Sequence, residues 1–185
     1  MLEVELKYRV TDPAAVLARL AAVQGVRVGE VVEVDHYFNA PDRDFKSSGE
    51  AFRLRREGTS NRFTYKGPKH NTATKTRTEI EVPVADGDAG AAVAEQLVRA
   101  LGYRSVAVVR KTRAAYDVVR GDFTATVCLD AVEGVGSFVE VEVVCDEAKA
   151  AAAESTVLGL AAELGLTVPE PRSYLGMLLE AEGRA

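Results

Sequence analysis

Charges come in pairs two residues apart along this chain, and that pattern constrains its fold more than any other feature of its 185 residues. Glu3-Val4-Glu5-Leu6-Lys7 alternates charged and apolar positions. So do Arg53-Leu54-Arg55, Arg77-Thr78-Glu79-Ile80-Glu81, Lys111-Thr112-Arg113 and Glu140-Val141-Glu142. Strict alternation is the period of a β-strand. An ordinary half-buried strand turns its charges to water, and any mixture of polar residues serves there. Here the acids fall in E-x-E pairs and the bases in R-x-R or K-x-R pairs. Residues i and i+2 project to one side about 6–7 Å apart. Carboxylates that close repel one another unless a cation sits between them. Oxygen-only ligands suit Mg²⁺ or Mn²⁺. The planar fork of Arg fits phosphate oxygens, and Lys adds a point charge. Acids, a divalent ion and several bases on one face describe a polyphosphate site, and burying so many charges without a ligand is costly. Such strands fit either a sheet with helices over its apolar face or a closed barrel with a charged interior.

Other segments fill in an α+β chain. Val31–Phe38, Arg62–Lys66, Val106–Thr112, Ala114–Val119 and Phe123–Leu129 read as further strands, with Gly121-Asp122 as a tight turn. Asp12-Pro13 is a helix start, and that helix stops at Gly25. Ala89–Leu101 is a second helix, Glu147 to about Leu164 a third with Asp146 as its cap, and Ser173 opens a short terminal one. No linker or compositional shift divides the sequence, so residues 1–185 read as a single domain.

Several functions are excluded early. With 23 basic and 28 acidic residues the net charge is −5, a poor match to a nucleic-acid or membrane-surface binder. No apolar run reaches membrane-spanning length, no secretory signal is expected from Met1-Leu2-Glu3-Val4-Glu5-Leu6-Lys7, and the two cysteines, Cys128 and Cys145, suit a reducing cytoplasm. Phosphate-loop and dinucleotide-binding glycine motifs are missing. His36 and His70 are the only histidines, so a histidine metal site or a Ser-His-Asp machine is not expected. His36 reads as a strand residue, and Lys69, His70 and Lys75 lie in a basic loop, 67–76, whose sharper reading is a lid.

The ordered set of motifs resembles the CYTH superfamily, the triphosphate tunnel metalloenzymes. Glu3-Val-Glu5-Leu-Lys7 matches its E-x-E-x-K signature, and Arg53-Leu-Arg55, Tyr65-Lys66-Gly67-Pro68, Arg77-Thr-Glu79-Ile-Glu81 and Lys111-Thr-Arg113 match later strands. The run from Leu129-Asp130 through Gly136-Ser-Phe138-Val-Glu140-Val-Glu142, and then Ser173-Tyr174-Leu175, complete the series. The resemblance implies a closed, antiparallel, eight-stranded β-barrel clad by amphipathic helices. It implies Glu3, Glu5, Asp130, Glu140 and Glu142 as ligands of Mg²⁺ or Mn²⁺, with Glu79 and Glu81 as further candidates. Lys7, Arg53, Arg55, Lys66, Arg77, Lys111 and Arg113 would bind phosphates, and Lys7, Lys111 and Arg113 would serve catalysis.

Asp35-His36-Tyr37-Phe38 and Arg43-Asp44-Phe45 are most similar to the class IV adenylyl cyclase branch. The reaction this implies is conversion of ATP to cyclic AMP and pyrophosphate. A triphosphatase acting on tripolyphosphate, thiamine triphosphate or nucleoside triphosphates is the alternative, and a non-catalytic polyphosphate-binding module is the third reading. The expected partner is a small triphosphate, with no nucleic acid and no membrane, for a cytoplasmic monomer or homodimer.

Overall fold

The computed structural model describes residues 2–68 and 78–184. Eight strands alternate with five α-helices: β1 (Leu2–Val10), α1 (Pro13–Ala22), β2 (Val26–Asn39), α2 (Phe45–Ser48), β3 (Ala51–Glu57), β4 (Ser60–Lys66), β5 (Glu79–Val84), α3 (Gly87–Ala100), β6 (Arg104–Arg120), β7 (Phe123–Val132), β8 (Gly136–Cys145), α4 (Ala150–Glu163) and α5 (Tyr174–Ala181). The strands hydrogen-bond in the order β1-β8-β7-β6-β2-β3-β4-β5. The fold is α+β with eight antiparallel strands.

The closed barrel implied by the resemblance is not what the ladders show. Closure requires the last strand to pair with the first, whereas among the described residues the order ends in β1, paired with β8, and in β5, paired with β4. Two expected strands, Val106–Thr112 and Ala114–Val119, are one 17-residue strand, β6. Lys111-Thr112-Arg113 keeps the alternation running through what reads as a break.

Local signals place the helices. The Asp12 side chain accepts from the Ala15 backbone N–H at 3.1 Å, and Pro13 opens α1. Gln24, at φ 60°, takes the left-handed position expected one residue later. Asn61 Nδ2 donates to the carbonyls of Ala85 and Gly87, 2.8 Å each, and pins the start of α3, which ends before left-handed Gly102. Glu147–Lys149 is a 3-10 turn, so the third expected helix becomes regular only at Ala150. Ser173 caps α5. The four-residue α2, held by Asn39 and Asp44, carries too short a pattern to be read from sequence.

The chain forms two compact units: the described residues of Met1–Glu30 with Thr112–Arg172, and those of Val31–Lys69, Arg77–Lys111 and Ser173–Ala185. In the first, Val4, Leu6, Tyr8, Val127, Val139, Val141 and Val143 form one apolar core with Val16 and Leu20 of α1 and Val157, Leu160 and Ala161 of α4. In the second, Leu54 and Phe38 pack with Ala91, Ala94 and Val98 of α3. In each unit the helices cover the apolar set of the alternation and leave the charged set on the other face. Among the described residues no helix is long and apolar enough to cross a membrane.

Candidate functional site

The first unit gathers the acids. Antiparallel pairing of β1 with β8 sets Glu5 opposite Glu142 and Lys7 opposite Glu140. Opposed residues share a face. Glu3, two residues along β1, joins them. Carboxylate oxygens of Glu3, Glu5 and Glu142 all lie within 4.8 Å of one another. Burial, and then the neighbouring Glu3 carboxylate, push Glu142 up to about 8, with Arg113 acting against the rise. Three hard oxygen donors that suffer from one another's charge fit a divalent cation.

Asp130 and Glu140 are engaged differently. Arg113 donates from Nε to Asp130 Oδ1 at 2.7 Å and from Nη2 to Asp130 Oδ2 at 2.6 Å, and it also pairs with Glu140. Both acids are buried, as is Lys7. Two of the expected metal ligands, Asp130 and Glu140, thus hold the Arg113 guanidinium. Cys128 lies on the same face, opposite Glu140. Its thiol is pushed up to about 12, first by burial and then by the surrounding carboxylates, against the pull of Arg113. Cys145 sits in the apolar core.

Bases dominate the second unit. Arg55 forks onto Asp35, Nε to Oδ1 at 2.6 Å and Nη2 to Oδ2 at 2.7 Å, and its Nη2 lies 2.8 Å from Glu33 Oε2. Arg53 Nη1 reaches Asp35 at 3.1 Å and donates to the Tyr37 hydroxyl at 3.3 Å. Lys111 Nζ lies 3.1 Å from Glu33 Oε2 and 5.2 Å from the centre of the Tyr174 ring. Burial alone would raise Asp35, but Arg53 and Arg55 overcome it and hold the carboxyl at about 2. Arg53, Arg55 and Lys111 thus gather around Asp35 and Glu33, with Glu79 also acting on Arg53, and such a cluster of bases suits an anion. Lys66 pairs with Glu79 at 2.6 Å, and Glu81 accepts from Arg62 and Thr64. Glu79 and Glu81 are thereby placed with the bases of β4. Arg77 and the basic positions Lys69, His70 and Lys75 lie outside the described residues.

Three residues of these clusters are absent from the expected site. Glu33 and Asp35 anchor the basic cluster, and their signal is the same i, i+2 acid pair that marks Glu3 and Glu5. Glu170 gives no such signal. It follows the bridge from Tyr8 to Pro169, and its N–H donates to the Lys7 carbonyl at 2.6 Å. Hydrogen bonds from Arg172 hold its carboxyl at about 2. It lies in irregular backbone, where no period marks a face.

Comparison with known proteins agrees with the motifs. The CYTH domain profile matches residues 1–174. A Methanocaldococcus jannaschii protein provisionally named as an adenylate cyclase is 37% identical over 142 residues, 77% of each chain. The adenylate cyclase CyaB of Aeromonas hydrophila is 34% identical over 178 residues, 93% of this chain and 86% of that one. Among solved structures, the PH1819 protein of Pyrococcus horikoshii OT3 superposes with a TM-score of 0.82 at 35% identity, over 96% of this chain and 98% of its own. The Hippeastrum protein HpAC1, whose structure is described as revealing a dominant triphosphatase activity, shares the fold at 17% identity, with a TM-score of 0.69 over 96% and 95% of the two chains. By motif order, profile and relatives alike, the chain belongs to the CYTH family.

Proposed function

We propose that this protein is a divalent-metal-dependent enzyme that converts ATP to cyclic AMP and pyrophosphate. The observation that carries the reading is the Glu3/Glu5/Glu142 trio, whose oxygens lie within 4.8 Å of one another and which affinity for phosphate alone would not require. The names of the two curated relatives support the choice of reaction.

In this reading Glu3, Glu5 and Glu142 hold Mg²⁺ or Mn²⁺. When bound, the ion supplies Lewis acidity that lowers the pKa of the ribose 3′-hydroxyl and screens phosphate oxygens. The remaining work falls to side chains. Arg53, Arg55, Lys66, Lys111 and Arg77 bind phosphate oxygens, and Lys7 and Arg113 neutralise charge developing on the leaving pyrophosphate. Asp130 and Glu140 fix the Arg113 guanidinium, so little reorganisation is needed as that charge develops. The 3′-oxygen attacks the α-phosphorus, the bond to the β-phosphate oxygen breaks, and no protein nucleophile takes part.

Triphosphate hydrolysis is the second reading. Every residue named above binds metal or phosphate and none is assigned to a nucleobase, so the same groups serve water attack on a terminal phosphorus. Incubation with ATP and, separately, with tripolyphosphate, each with Mg²⁺ or Mn²⁺, decides between them. Cyclic AMP with pyrophosphate supports the cyclase. Orthophosphate from both substrates without cyclic AMP overturns it in favour of hydrolysis, and no product from either leaves a binding module.

A further inference from the structure

His36 lies on β2 in the second unit, on the side of the strand turned toward α3. Its ring stacks on Phe38, centroids 4.2 Å apart. Its Nε2 is 2.7 Å from the Oγ of exposed Ser105, at the start of β6. Its Nδ1 is 3.3 Å from Glu95 Oε2 on α3. The other oxygen of Glu95 is taken by Arg99, whose Nε and Nη2 lie 2.9 and 2.7 Å away. A carboxylate only accepts, so the Nδ1 of His36 carries the proton and Nε2 presents its lone pair to the hydroxyl of Ser105. Nucleophile, base and orienting acid stand in the order and on the ring atoms that activate a serine. Desolvation first, with help from the charges of Arg99 and Arg56 against the pull of Glu95, lowers the imidazole below its usual value and keeps it a free base at neutral pH. The CYTH reading gives none of these three residues a chemical role, although His36 stands in the Asp35-His36-Tyr37-Phe38 motif.

We propose that Ser105 is an activated nucleophile that takes an acyl group from small activated esters, with His36 as its base and Glu95 orienting the imidazole. The Oγ–carbon bond forms and the carbon–leaving-group bond breaks. The serine proton passes to His36 Nε2 and from there to the departing alkoxide, so the step needs no further reactant.

The test is p-nitrophenyl acetate added to the full chain, read by nitrophenolate release and by peptide mass spectrometry. The expected result is a burst of about one nitrophenolate per chain and an acetyl group on Ser105. Ser105→Ala should abolish both. General-base assistance is worth about 10²–10⁴-fold, so His36→Gln and Glu95→Gln should each slow labelling of Ser105 at least ~10-fold. Turnover of ATP or tripolyphosphate should be unchanged in all three variants. Should His36→Gln fail to fold, Glu95→Gln, a half-exposed site, decides alone. Acetylation confined to lysines, or Ser105 labelling at the wild-type rate in the folded variants, overturns the proposal.

Discussion

Glu142 faces Glu5 across the β1–β8 ladder, and Arg55 is forked onto Asp35, so one charge acts in opposite senses at the two places. Glu5→Gln or Glu142→Gln removes a repelling charge at nearly constant shape. Either should cut turnover about 100-fold or more while leaving the metal-free melting temperature unchanged or higher. The same variants should lose most of the rise in melting temperature that Mn²⁺ with tripolyphosphate gives the wild type. Assays and melts run on one preparation check both halves. The outcome at Arg55 should be different. Sequence alone presents Arg55 as a phosphate ligand, but the structure sets it between two buried acids. Arg55→Ala should therefore cost stability, about 3–5 kcal/mol for an orphaned buried charge, as well as ~10-fold or more in kcat/KM. Asp35→Asn added to Arg55→Ala should restore part of the stability and none of the activity, as urea unfolding beside kinetics would show.

The alternation that exposes the acid and base pairs also tells which residues lie under helices, because the apolar set of each strand must be covered by something. Leu54 shows how far that inference reaches. It sits between Arg53 and Arg55, is 2% exposed, and packs on α3. Leu54→Ala should cost ~2–5 kcal/mol, whereas Leu97→Ala, on the exposed side of α3, should stay within about 0.5 kcal/mol; chemical denaturation distinguishes them. Strand identity and face were legible because period 2 survives in every one of these segments. What was not legible follows from the same physics. A strand that continues through Thr112 without breaking its alternation looks no different from two strands. Pairing partners are non-local, so the strand order among the described residues leaves no mark on any one segment. The split of the acids into a close trio, Glu3, Glu5 and Glu142, and a pair on Arg113 depends on register, which alternation fixes only to within two residues.

At the scale of the molecule, pH gives the charge reading its sharpest check. Asp35, Glu170, Glu142, His36 and Glu50, which accepts hydrogen bonds from Arg43 just before β3, shift in ways that separate along the pH axis. Asp35, Glu50 and Glu170 are each held at about 2, so their contribution is complete above the ordinary carboxylate range and is lost only as pH falls toward 2. His36 is lowered, so the unfolded chain binds its proton more readily and stability rises with pH up to about 6.5. Glu142 is raised to about 8. The folded chain then holds a proton that the unfolded chain has released, and stability falls as pH climbs through the interval up to 8. Cys128, held near 12, adds to this fall only at higher pH, as the unfolded thiol begins to ionise. Between pH 6.5 and 8 Glu142 is thus the one of these shifted groups that sets the slope. Metal-free protein should melt at a lower temperature at pH 8 than at pH 6.5, by about 2–4 °C for each kcal/mol lost. In Glu142→Gln this fall should disappear, leaving at most the small rise that His36 contributes. A cation held by the trio must displace the Glu142 proton, so Mn²⁺ should stabilise the wild type more at pH 8 than at pH 6.5 and should release protons on binding at the lower pH. Differential scanning fluorimetry at the two pH values, with chelator and with Mn²⁺, reads all three effects. A metal-free melting temperature that rises across this interval, or a Mn²⁺ effect equal at both ends of it, would place the cation away from Glu142.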